Sequence, residues 1–585
     1  MKSKIFLTIF VVAVVAVFIY SQTKRKAFAA AEDFPREAVL YLQIADLPAL
    51  IKLWNESELK EKYLASDNYR DFQNRHLGRK LASRWQEFSD SAGFAIDLDV
   101  LSCLTGNQAS IALYDVGKLE FVFIAPVSDE IFAATKFASN QNKFTEESLD
   151  DGTVIYRANV EADRGRQKQE LIFTQLKGRF ILATSEKLLV ETLNNINGKK
   201  SKNRLIDEPL FKLLSDKIEP HLATVWLNQK ALNDDYYFKH YWLMSDPGKL
   251  KNLRAGIFDF EMQEGKLIER RKFLLNAMVE SAPIENSVAE KMLAFLPPDI
   301  PFYRLQSGNQ KTVDEAVEKT IFARRQVTEK KSRNYYSRYS SLDDYSFDDY
   351  SNYLSDNYES LGEKFDETID DSDDTDKIER RELEIDFSKI LQTANPRAVL
   401  TFTRPKMLPA PMFVEFDRAV VFHLATLKSF DRESFEKAII EKLSAQVMIA
   451  APGVKLNWET KSENSYTWRV LKLPMLDWNV DYAVVGNELI ITNDTDFLQQ
   501  ILTERQSPQS RMQNLPFSSL TVINFSEREN AYDKVFDELA EKKQGGDFFT
   551  GNIKSLLNSI SQLNKIEIRE NYSQNIFDEE IICSF

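Results

Sequence analysis

"GRFILATSEKLLVETL", Gly178 to Leu193, is the stretch on which the fold turns. An apolar run, "LIFTQLK" from Leu171, leads into it, and the tight Lys177-Gly178 step joins two strands as a hairpin. Thr184 ends the second strand, Ser185 caps a helix with an acid in its first turn, and Leu188, Leu189 and Leu193 form one apolar face. The same unit returns as "GNELIITNDTDFLQQIL", Gly486 to Leu502. There "DYAVV" precedes the glycine, and Gly178–Thr184 aligns without a gap to Gly486–Thr492. Asn493-Asp494 starts the helix, and Phe497, Leu498 and Leu502 match the leucines after one inserted residue.

Further pairs fall in the same order along the chain. Pro35 to Tyr41 matches Pro297 to Tyr303, and "IDLDVL" from Ile96 matches "IDFSKIL" from Ile385 as a strand entry. "LEFVFIAP" from Leu119 matches "AVVFHLAT" from Ala419, which sets His423 where the first copy has Phe123. "LATVWLN" from Leu222 matches "LTVINFS" from Leu520, and "GKLIERRKFLL" matches "NIFDEEIICSF" at the two ends. The expected fold class is therefore α+β: two tandem modules of antiparallel sheet with helices packed on one face. The expected division is 1–32 as membrane anchor and juxtamembrane segment, 33–276 as first module, 277–295 as linker, and 296–585 as second module. Residues 331–381, a Ser, Tyr and Asp tract without periodicity, read as a disordered insertion into that module.

A chain of 585 residues exceeds a single ordinary core. Its 18 glycines are scarce for its length, which opposes phosphate-cradling loops. A net charge of −14 repels nucleic acid. The N-terminal stretch from Ile5 to Thr23 is uncharged and long enough to span a bilayer, with Lys24, Arg25 and Lys26 opposing cleavage at the "AFA" that follows. The expectation is a single-pass protein of the cell membrane with its globular part extracytoplasmic.

The "P-x-x-x-x-[LF]-Y" opening (Pro35 to Tyr41, continuing to Asp46 and Leu47), the "[IV]-D-[LF]" element and the hairpin-helix unit resemble a bacterial family of membrane-anchored proteins known only as a domain of unknown function. The resemblance covers nearly all of the chain after the anchor except the acidic insertion. It implies an exported, envelope-associated protein and brings no catalytic residues to carry over.

Chemical motifs are sparse. The four histidines, His76, His221, His240 and His423, are too scattered for a zinc site. Neither Cys103 nor Cys583 belongs to a CxxC, and both sit in apolar context as small core residues do. Asp370, Asp371, Asp373, Asp374 and Asp376 lack the glycine turn and closing Glu of an EF-hand and read as a solvated run. "DRGRQKQE", Asp163 to Glu170, reads as a charged hairpin loop. The aromatic run around Tyr236, Tyr237, Tyr241 and Trp242 is the candidate partner-binding surface, against the plainer reading of a helix buried by one face. No cofactor is implied. The functional expectation is a non-catalytic binding or scaffold protein with a protein or envelope partner. The alternatives are a hydrolase with a dispersed carboxylate site and a carrier of a hydrophobic ligand in a cleft between the modules.

Overall fold

The computed structural model describes residues 28–585 apart from 161–168, 199–202, 235–251, 323–386, 407–414, 448–454, 474–477, 505–516, 526–562 and a few gaps of one to three residues. The N-terminal span, the aromatic run with Tyr236, Tyr237, Tyr241 and Trp242, and the 331–381 tract lie outside the described residues. Among those described, no helix is long and apolar enough to cross a membrane.

Among the described residues twenty strands form one sheet, and every neighbouring pair is antiparallel. From its outer edge inward, the first half runs β4 (Thr145–Ser148), β5 (Val154–Val160), β6 (Gln169–Leu176), β7 (Arg179–Ala183), β3 (Glu120–Pro126), β2 (Ala109–Asp115), β1 (Leu40–Ile44), β8 (Ala223–Leu227), β9 (Leu253–Gln263) and β10 (Lys266–Leu275). The second runs β14 (Trp458–Glu463), β15 (Tyr466–Leu473), β16 (Trp478–Val485), β17 (Glu488–Thr492), β13 (Glu415–Leu424), β12 (Pro396–Lys406), β11 (Phe302–Ser307), β18 (Ser519–Asn524), β19 (Lys565–Ser573) and β20 (Ile576–Ser584). The order is the same in both. The halves join where β10 pairs with β20.

Strand pairing corrects the alignment around the hairpin. Leu176 pairs with Arg179 and Val485 with Glu488, so Gly178 corresponds to Asn487, and Gly486 to Lys177. The turns differ: Lys177 and Gly178 both have positive φ, whereas in the second hairpin only Gly486 does. Those are the demands of type I′ and type II′ turns, which need their glycine at different positions. With that slip absorbed, no inserted residue is needed, and Ser185 and Asp494 are the matching helix caps. Each accepts from the backbone N–H three residues on, Leu188 and Phe497. Asn493, expected to share the capping, instead accepts from the Arg418 N–H and donates to the Phe416 carbonyl, tying β17 to β13.

Helices cover both faces of the sheet rather than one. On one face of the first half, Leu188, Leu189 and Leu193 of the helix Glu186–Ile196 pack with Phe211 and Leu214 over Ile181 and Ala183. On the other, Leu47, Phe88, Val100, Phe132 and Phe137 pack over Phe180 and Leu182. The second half repeats this, with Phe497 and Leu498 over Ile490 on one side and Phe387, Phe435 and Ile439 over Leu489 and Ile491 on the other. This is why "RFILA" and "ELIIT" are buried almost without alternation: an antiparallel strand reads as continuous only when both faces are covered.

Three further expectations change. The "IDLDVL" and "IDFSKIL" segments open helices, Leu98–Cys103 and Phe387–Gln392, with the Asp97 carboxylate accepting from the Val100 N–H at the first. Residues 277–295 are not merely a linker, since Ile284, Val288, Ala289, Met292 and Phe295 belong to a second-half core. Phe28 and Ala31 belong to a first-half core in the same way. Cys103 is exposed rather than buried, while Cys583 is half-buried, and both are free.

Candidate functional site

The join between the halves concentrates the molecule's charge. β9–β10 and β19–β20 are equivalent hairpins, with Gln263 opposite Lys266 and Ser573 opposite Ile576. In the β10–β20 ladder Arg270 therefore stands opposite its own counterpart, Glu580, and the pseudo-twofold axis passes between them. The ladder is charge-complementary: Arg271 meets Glu579 at 2.9 Å, Lys272 meets Asp578 at 2.7 Å, and Arg270 meets Glu580 at 3.6 Å.

On one face of the four middle strands these residues extend into a band. Arg270 reaches Glu261 at 2.7 Å and lies 4.0 Å from Asp259. Asp259 is fully buried and accepts from the backbone N–H of His221 and the Thr224 hydroxyl, both at 2.8 Å, with His221 Nδ1 at 2.6 Å. Across the axis Glu580 lies 3.5 Å from Arg569, which also pairs with Glu567, itself bonded to Lys565 at 2.8 Å. Burial pushes the Glu567 carboxyl up, but Lys565 and Arg569 outweigh it and leave the group below its usual range. Hydrogen bonds from Gln263 and Arg270 lower Glu261 likewise.

The opposite face of these strands is aromatic. Phe273 stacks on Phe577 at 5.8 Å, and Tyr572 stacks on Phe577 at 4.8 Å. Arg271 lies over the Phe258 ring at 5.9 Å while pairing with Glu269 and Glu579. Desolvation pushes Glu579 up in spite of Arg271.

Chemically, the His221–Asp259 contact has the orientation that steers an imidazole in acid–base catalysis. Its surroundings fit a different role. Thr224 donates into the same carboxylate instead of facing the imidazole, and His221 Nε2 looks toward Glu261 at 3.8 Å. The band's charges are met by one another. Among the described residues, no group of three or more His, Cys, Asp or Glu could hold a metal ion.

Other buried polar pairs are specific to one half. His423 and Glu488 meet at 3.1 Å across β13 and β17. By the ladder registers, their counterparts are Pro126 and Arg179, so His423 does not occupy the position of Phe123. Arg179 is used elsewhere, pairing with Asp33 at 3.0 Å. A small apolar cavity of about 20 Å³ lies inside the first half, lined by Trp85, Phe88, Ile96 and Phe121 among others. It has room for little more than one water-sized probe. A shallow open depression of about 530 Å³ lies at the β4–β5 turn.

The residues singled out for partner binding, Tyr236, Tyr237, Tyr241 and Trp242, lie outside the described residues. Sequence reasoning missed the band although a signal was present. "ERRK" (Glu269 to Lys272) and "DEE" (Asp578 to Glu580) are oppositely charged blocks in two otherwise equivalent strands.

No family model and no curated protein matches the chain. Two solved structures match. Crystal form III of TP0453 does so with a TM-score of 0.24 at 11% identity, over 43% of this chain and 81% of that one. Crystal form I of TP0453 matches with a TM-score of 0.22 at 10% identity, over 45% and 83%. Likeness at this level carries no argument about fold or function.

Proposed function

We propose that this chain is a non-catalytic binding or scaffold protein of the bacterial envelope, built from two copies of one α+β module. In this reading its N-terminal segment anchors it in the cell membrane and holds the globular part outside the cytoplasm. The observation that carries the proposal is the middle of the sheet. The largest constellation of charged residues described here is spent on joining two halves of identical strand order, with Arg270 and Glu580 on the axis. A catalytic constellation would present its groups to a pocket, whereas these groups face one another. The fold and the resemblance to membrane-anchored proteins of unknown function point the same way.

The test is chemical crosslinking of the full-length chain in native membranes, with a panel of hydrolase substrates run on the purified protein. The expected result is a reproducible envelope partner, lost when the membrane is dissolved before crosslinking, and no turnover. Turnover of any substrate without a specific partner overturns the proposal. Protease added outside spheroplasts is expected to digest the globular part, and protection would reverse the orientation.

A further inference from the structure

Comparing the halves position by position isolates one residue that burial alone does not explain. In β6, Ile172 pairs with Ala183 and belongs to the first-half core beneath the helix Glu186–Ile196. Its counterpart in β16 is Asp481, which pairs with Thr492 beneath the helix Thr495–Thr503. Asp481 is fully buried, and among the described residues neither carboxylate oxygen makes a well-formed hydrogen bond, the nearby Thr495 hydroxyl included. A lone anion there is costly, so burial favours the neutral acid.

We propose that Asp481 makes the second half pH-responsive: ionisation of this carboxyl loosens β16, β17 and the helix Thr495–Thr503, while the first half stays closed. The charged and polar groups acting on it come from β14 and from the start of the helix Thr495–Thr503. Lys461 of β14 and the Thr495 hydroxyl favour the anion; Asp494 and Asp496 at the start of the helix oppose it. Its strand neighbours, Val470 on β15 and Thr492 on β17, carry no charge. Burial dominates and pushes the carboxyl up to about 6 from 3.8. The sign follows. A carboxyl whose folded value is raised favours the folded state below its unfolded value, and that support is lost as pH rises through about 6.

Hydrogen exchange of the full-length chain tests this between pH 5 and pH 8, corrected for intrinsic exchange. Peptides from β16 through the helix Thr495–Thr503 are expected to lose protection by up to roughly 10-fold, the part of the shift from 3.8 to about 6 that falls above pH 5. The equivalent first-half peptides, from β6 through the helix Glu186–Ile196, serve as an internal reference and are expected to hold. Asp481→Ile, which installs the first-half residue, and Asp481→Asn, which keeps the shape, are both expected to flatten the response. Equal pH dependence in the two halves, or a response that persists in Asp481→Asn, overturns the proposal. Should Asp481→Ile fail to fold, the wild-type comparison between halves and the Asn variant still decide it.

Discussion

Asp259 concentrates more of the join's order in one side chain than any neighbour. It is inaccessible to water, and a backbone N–H, an imidazole, a hydroxyl and a guanidinium converge on it. Asp259→Ala strands these groups at once. Urea unfolding is expected to show a loss of about 3–5 kcal/mol, the range for breaking a buried ionic network from one side. Glu436 acts differently. Burial pushes its carboxyl up, but hydrogen bonds from Arg469, Tyr482 and Arg432 prevail and hold it at about 2. Because the folded value is depressed, its support is present above the unfolded value of 4.5 and is lost as pH falls toward about 2. Glu436→Gln is expected to cost about 1–2 kcal/mol at neutral pH, after allowing for solvent screening, and almost nothing at pH 2. Thermal unfolding at the two pH values checks it.

At the scale of elements, much was legible in the sequence. Hairpins, helix starts and the order of matched segments follow from apolar runs, turn residues and capping chemistry, all of them local. What failed was register. Aligning glycine to glycine is natural when turns are read by composition, yet type I′ and type II′ turns place glycine at different positions. Lys177 illustrates the cost: it sits at φ 51, where a lysine is strained and an asparagine is not. Lys177→Asn is therefore expected to stabilise the first hairpin by about 0.5 kcal/mol, measured by chemical denaturation. Ser185→Ala and Asp494→Ala, at matching helix caps, are each expected to cost about 1 kcal/mol by the same measurement. The helical cover on both faces was also missed, because burial on the second face depends on which distant helices arrive there, and no local pattern states that.

For the whole molecule, the duplicated order of segments was legible and the join was not. Which strands meet across the halves is decided by pairing over some three hundred residues, beyond the reach of any motif. The charge pattern nevertheless makes the join specific. If β10 met a second β10 in the same register, Arg270 would face Arg270, and the Lys272–Asp578 pair would be lost. Arg271→Glu is expected to lower the unfolding midpoint, Glu579→Arg likewise, and the double exchange to recover most of the loss. A double-mutant cycle in low and high salt checks this, with the coupling shrinking as salt rises.

The sheet also has two ends. At about 4.8 Å between strands, twenty of them span roughly 90 Å. Among the described residues no strand pairs with the outer side of β4 or of β14. β4 and β14 hold the same place in the two halves, so each end of the sheet offers a second copy the same kind of strand edge. Glutamates stand on both ends, Glu146 and Glu147 on β4 and Glu459 and Glu463 on β14. Charge on an edge strand opposes its pairing with another chain, so these glutamates guard the two ends against growth of the sheet from copy to copy.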